Sequence, residues 1–299
     1  MRGSVLREKL RNGDRVYGTH VVCYGGPIAA RWTTQLEMDF GFICAEHMPI
    51  DRTEISMMCQ TLLAAGISPM ARIPYPAGHW ASMFIDGGAE GIVAPYVERV
   101  EQVRELVGAV RYRPIKGRFL KDILDGARQP TAKMSQFFER FNGHLYLIIG
   151  IESVEAIRRL EELIAFDGVD GVFLGPHDIT CSLEIPEEYD NPLFIDMVVD
   201  VIRRCRKMGK GVGIHMDNTL PHCRPFLEAG ANFILNSADV VKMKNAMNLD
   251  FQNLRRIFED RYGPEAGKLG PQASCIDQPS GGKKQVRDVP SGASPHGSA

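Results

Sequence analysis

The sequence has no run of about 18 apolar residues, so it holds no segment able to cross a bilayer as a helix. It has seven cysteines, an odd number, and no C-x-x-C pair. That argues against a disulfide frame or a zinc cage and reads as reduced thiols in a cytoplasmic protein. The first ten residues lack the apolar core of a signal peptide, which fits the same compartment. Net charge is scarce: the formal value is -2 over 299 residues. Nothing there calls for nucleic acid or an anionic membrane as a partner. The basic runs at 203–207 and at Arg255-Arg256 fall within helical patterns and read as solvated helix faces. No G-x-G-x-x-G follows the first strand pattern, and Gly25-Gly26-Pro27 is no substitute. An open, dinucleotide-binding sheet is weakened accordingly.

What is present is a regular alternation. The apolar content is 44%, enough for one large domain. Short Val/Ile/Leu/Phe-rich runs predict strands at 17–23, 40–45, 68–73, 91–94, 146–150, 171–174, 211–215 and 232–235. Helical spacing predicts helices at 51–65, 97–110, 153–166, 191–208 and 220–229, with stops at Gly66, Gly209 and Gly230. Strands alternating with helices over about 250 residues predict an α/β fold, a single-domain (β/α)8 TIM barrel, here spanning 1–262. Residues 111–143 form a long connection, expected to shape the site or an interface. Residues 263–299, rich in Gly, Ser and Pro, are expected to be disordered.

Polar groups stand at four strand ends. The second carries Glu46 and His47, the third Arg72, the fifth Glu152, and the sixth Gly175-Pro176-His177-Asp178. Each has a plain reading. Glu152 suits a helix N-terminus, Asp178 a cap, His47 a packed loop, and Arg72 any nearby acid. All four at barrel strand ends is a different matter, because the C-terminal ends of the strands face one mouth. Two carboxylates can hold a hard divalent cation, with substrate oxygens completing its shell. Such a cation can chelate a 2-oxoacid, and Arg72 can donate to a developing oxyanion. His47 can move a proton. Gly175 and Pro176 leave room, and the backbone N–H of His177 or Asp178 can meet a substrate carboxylate. His177 and His215 are lesser side-chain candidates, and His20, His79, His144 and His222 weaker ones. No lysine punctuates a strand from inside, which argues against a Schiff-base mechanism.

These motifs resemble the metal-dependent (class II) pyruvate aldolases of the hydroxy-ketoacid aldolase/citrate lyase family. The resemblance runs from about residue 17 to 257. It rests on Glu46-His47-x-Pro49, Arg72-x-Pro74, the stretch from Asp86 to Pro95, and Arg111-Tyr112-x-Pro114 with Gly117-Arg118. Its most specific part is Glu152-Ser153-x-Glu155-Ala156 followed by Gly175-Pro176-x-Asp178. It implies Mg²⁺, Mn²⁺ or Co²⁺ on Glu152 and Asp178, with a pyruvate enolate on that metal. It implies Arg72 as the enolate-stabilising group and His47 in proton handling. The implied reaction is reversible aldol cleavage of a 4-hydroxy-2-oxoacid to pyruvate and an aldehyde. The implied assembly is a homohexamer, a trimer of dimers, that exchanges its last helix near 239–262. Two positions depart from the pattern: Gly150 where such aldolases often have Gln, and Cys44 where many have an Asp that pairs with the His.

Two other functions stay open on the sequence. One is a related lyase or decarboxylase acting on oxaloacetate or an acyl-CoA ester, for which Arg111, Arg113, Lys116 and Arg118 could supply a basic surface. The other is a barrel that binds metal and ligand without turnover.

Overall fold

A computed structural model describes residues 2–23, 29, 31, 33–217 and 219–258. Eight parallel strands close into a barrel in sequence order. They are β1 (Val16–His20), β2 (Phe40–Cys44), β3 (Ser68–Arg72), β4 (Gly91–Ala94), β5 (Tyr146–Ile151), β6 (Gly171–Leu174), β7 (Gly211–Met216) and β8 (Phe233–Ala238). All eight lie within two residues of their predicted starts. β1 ends earlier than the pattern suggested, because the N–H groups of Val22 and Cys23 turn to Asp239 Oδ2, each at 2.9 Å. The expectation of a disordered tail at 263–299 lies outside the described residues.

The pairing register stacks the inward side chains in layers of four, taken from alternate strands. The lowest layer is Val16, Ser68, Tyr146 and Gly211. Above it come Phe40, Gly91, Gly171 and Phe233, then Gly18, Met70, Ile148 and Gly213. Phe42, Val93, Phe173 and Leu235 follow. The layer nearest the C-terminal mouth is His20, Arg72, Gly150 and His215. Large residues sit beside glycines, which is how a closed barrel fills without strain. A Cβ on Gly91, for example, would lie 2.2 Å from the Tyr146 ring. Each buried phenylalanine in this stack stabilises the barrel by roughly 1.5–3 kcal/mol.

A helix the periodicity did not announce, Arg2–Asn12, closes the N-terminal end. Its Leu6 and Leu10 join the barrel-interior cluster. Arg7, Arg11 and Arg111 all pair with Asp170, which is fully buried just before β6.

That same end takes the 111–143 connection, and this corrects the expectation that it shapes the site. It follows a helix, Val100–Arg111, and so emerges at the N-terminal ends of the strands. Arg111 donates to the carbonyls of Leu145 and Gly168, which precede β5 and β6. Arg113 pairs with Asp86 at the end of the helix Gly78–Asp86. The segment folds as two helices, Gly117–Leu124 and Ala132–Asn142. The basic surface once available to an acyl-CoA substrate therefore stands at the wrong end of the barrel.

Predicted helix stops hold: Gly66, Gly209 and Gly230 all have positive φ, at 88°, 69° and 106°. Helix 153–166 is instead two short ones, Val154–Arg158 and Leu160–Ile164, broken at Arg159. There the Arg159 guanidinium bonds the Glu98 carbonyl at 2.9 Å and the Glu162 carboxylate.

Candidate active site at the barrel mouth

Each predicted site residue sits where its strand ends. Arg72 is the last residue of β3, and Glu152 follows the last residue of β5. Gly175 follows β6 and N-caps the short helix Pro176–Ser182, whose first turn holds His177 and Asp178. Pro176 at the first helical position has no N–H to lose and a φ already set for the helix. Glu46 and His47 lie just past β2.

Glu152 and Asp178 flank Gly175. A Cβ there would lie 2.8 Å from Asp178 Oδ2 and 3.0 Å from Glu152 Cγ, so any larger residue would occupy the space between the acids. Glu152 is only 7% exposed. Its Oε2 accepts the Tyr96 N–H at 3.1 Å, while its buried Oε1 has no hydrogen-bond partner among the described residues. Burial raises the Glu152 pKa to about 8; Asp178 and Glu46 add to the rise, against Arg72 and the Tyr96 N–H. The backbone of Tyr96 pays for that hydrogen bond with a φ of 33°.

Arg72, also 7% exposed, is the opposing charge. Its Nε lies 3.0 Å from Glu46 Oε2, and Nε and Nη2 donate to Cys44 Sγ at 3.3 and 3.0 Å. Its Cζ stands 5.6 and 5.5 Å from the Phe42 and Phe173 ring centroids. Burial opposes its charge, but Cys44, Glu46 and Glu152 outweigh that and leave its pKa raised. His47 is exposed at the mouth, with Nε2 3.4 Å from Glu46 Oε2. Burial lowers its pKa and Arg72 lowers it further, against Asp178. Burial raises the pKa of Glu46, opposed by Arg72.

The thiol of Cys44 therefore serves Arg72 and the His47 backbone N–H, at 3.4 Å from the latter. The carboxylate beside the His47 ring comes from Glu46. The sequence placed Glu46 at a strand end without a role; its adjacency to His47 was the only signal. Tyr96 carried no signal, since its part is played by a backbone N–H. The His177 side chain pairs with Tyr189, Nδ1 to Oη at 3.4 Å.

Among the described residues no group of three or more His, Cys, Asp or Glu is arranged to hold a metal alone. Two acids, an unpartnered buried carboxylate oxygen and a glycine between them do fit a hard cation that shares its shell with a small ligand.

Polar groups gathered at the C-terminal mouth of a closed parallel barrel mark a (β/α)8-barrel enzyme. The chain belongs to the HpcH/HpaI aldolase/citrate lyase family, whose model matches residues 29–246. It is an aldolase-type lyase. It is 30% identical over 251 residues to a hydroxypyruvate/pyruvate aldolase of Deinococcus radiodurans, covering 84% of this chain and 88% of that protein. It is 27% identical over 262 residues to a 2-keto-3-deoxy-L-rhamnonate aldolase of Escherichia coli, covering 87% and 95%. Its fold matches the crystal structure of an HpcH/HpaI aldolase from Desulfitobacterium hafniense with a TM-score of 0.70 at 25% identity, covering 84% and 96%.

Proposed function

We propose that the chain reversibly cleaves a 4-hydroxy-2-oxoacid to pyruvate and an aldehyde, using Mg²⁺, Mn²⁺ or Co²⁺ held by Glu152 and Asp178. The unpartnered, buried Oε1 of Glu152 beside Asp178 is the observation that carries the reading. A bound cation there supplies Lewis-acid polarisation of the keto group. The chain's own residues do the rest. The N–H groups of His177 and Asp178 precede the first intrahelical bond, from the Ile179 N–H to the Gly175 carbonyl, and donate to no helix carbonyl. They meet the substrate carboxylate in the room left by Gly175 and Pro176. His47, steadied by Glu46, takes the proton from the C4 hydroxyl, directly or through one water. The C3–C4 bond then breaks, and its electron pair moves toward the C2 oxygen, where Arg72 donates to the developing negative charge. A proton returned to C3 completes pyruvate. The relatives' names support pyruvate as the three-carbon product.

The measurement is NMR-detected exchange of pyruvate methyl protons in D₂O, after chelation and with each divalent metal restored. Exchange that depends on metal is expected. Its absence with every metal would overturn the reading.

We place the protein in a reducing cytoplasm, since Cys44, Cys59, Cys205 and Cys223 are buried as free thiols. No described helix is long and apolar enough to cross a membrane. The assembly we propose is a homohexamer, a trimer of dimers. Met243, Met247, Phe251 and Leu254 are exposed along the helix Asp239–Phe258, beside an apolar wall that includes Tyr17, Leu36, Met38 and Ile234. A second copy would cover both. The mass of six chains is expected in sedimentation equilibrium; a monomer at micromolar concentration would refute the assembly.

A further inference from the structure

Arg72 has to be aimed before it can act, and an arginine side chain is long and flexible. Among the described residues, the hydrogen bonds of its guanidinium all go to one atom: Cys44 Sγ accepts from Nε at 3.3 Å and from Nη2 at 3.0 Å. Glu46 Oε2 lies 3.0 Å from Nε yet accepts no hydrogen bond among the described residues. That carboxylate attracts the charge without fixing its direction. The Phe42 and Phe173 rings, with centroids 5.6 and 5.5 Å from Cζ, attract it too but offer no acceptor in line with an N–H. Cys44 itself is firmly placed. It ends β2, pairs in register with Arg72 on β3, and is 1% exposed within the barrel-interior cluster. A third donor, the His47 backbone N–H, meets the same sulfur at 3.4 Å.

Sulfur is large and polarisable, so several N–H groups can converge on one atom. Two contacts along one edge of a planar guanidinium fix its rotation as well as its position. The edge turned to Cys44 is the one formed by Nε and Nη2, and no hydrogen bond engages Nη1 among the described residues. Nη1 is therefore the nitrogen left for a ligand. A donor stabilises a developing oxyanion most when it already points there, because turning it during the reaction costs reorganisation. The contact to the His47 N–H means that the same sulfur also ties down the segment that carries the proton-handling group.

We propose that Cys44 is the positioning residue for Arg72: its sulfur turns the guanidinium so that Nη1 meets the C2 oxygen as negative charge develops there. The inference rests on the lyase reading and deepens it. Cys44 touches neither the substrate nor the metal in this role. It acts through Arg72, as a hydrogen-bond acceptor and not as filled space.

The test compares the wild type with Cys44→Ala, Cys44→Val and Cys44→Ser, each with Mg²⁺ or Mn²⁺ present. It reads kcat and KM for cleavage, and competitive inhibition by oxalate and by pyruvate. Oxalate is a planar dianion that mimics the enolate, whereas pyruvate resembles the ground state. In Cys44→Ala, kcat is expected to fall about tenfold or more with KM within about twofold of the wild type. Oxalate binding is expected to weaken by a similar factor and pyruvate binding to stay within about twofold. Cys44→Val fills the space without an acceptor and is expected to behave like Cys44→Ala; it serves alone should the alanine variant fail to fold. Cys44→Ser keeps an acceptor and is expected to recover part of kcat. An unchanged kcat would overturn the proposal. So would equal weakening of oxalate and pyruvate, or recovery in Cys44→Val as large as in Cys44→Ser, since either would show that Cys44 only packs. Absence of metal-dependent pyruvate exchange in the wild type would overturn the lyase reading and this inference together; exchange with kcat unmoved in Cys44→Ala would overturn this inference alone.

Discussion

Glu152→Gln is expected to abolish metal-dependent turnover, by about 10²-fold or more, and at the same time to make the metal-free protein more resistant to heat at high pH. Both effects come from one carboxyl group. Without a cation, burial holds the Glu152 pKa at about 8 instead of 4.5. The folded state therefore keeps a proton that the unfolded chain has lost over that window. Stability from this group is fully present below about pH 4.5 and is lost as the pH rises through about 8. Glutamine cannot ionise, so the variant escapes that loss. Melting curves from pH 5 to 9, with chelator, check it. A variant that melts below the wild type at pH 9 would refute the burial argument. The same curves with Mg²⁺ or Mn²⁺ are expected to rise for the wild type, more steeply at higher pH because the cation must displace a proton, and to stay flat for the variant.

Arg72→Lys is expected to lower kcat by about 10²–10³-fold with a smaller change in KM. Lysine keeps the charge but not the planar fork that reaches Glu46 and Cys44 at once. Nor does an ammonium offer the delocalised cation that the guanidinium holds 5.6 and 5.5 Å from the Phe42 and Phe173 ring centroids. A mobile ammonium cannot hold a donor fixed where negative charge develops. Steady-state kinetics over pH 6–9 are the check. A loss confined to KM would make Arg72 a ground-state anchor. The pH profile carries a second signature: Arg72 lowers the pKa values of both Glu46 and Glu152. Weakening that contact should move the rise in activity toward higher pH.

The barrel was legible because buried parallel strands are apolar on both faces, and their short runs stand out between helical patterns. The helix Arg2–Asn12 was not. Its two inward leucines, Leu6 and Leu10, are too few to make a stripe, and they count only because an open barrel end is there to receive them. The break at Arg159 was equally hidden, since it depends on a carbonyl from Glu98 across the molecule. The end of the barrel to which residues 111–143 belong followed from the helix before them, but loop length had pointed the other way.

By itself the sequence determined the strand ends, and with them Glu152, Asp178, Arg72 and His47, because strand position and polar chemistry are local properties. Only the tertiary structure decided which of these groups face one another and what each does to its neighbours. Glu46 became the carboxylate beside His47, Cys44 the acceptor for Arg72, and His20 a buried ring with no hydrogen-bond partner among the described residues. Burial sets these charges, and burial exists only once the eighth strand has closed on the first.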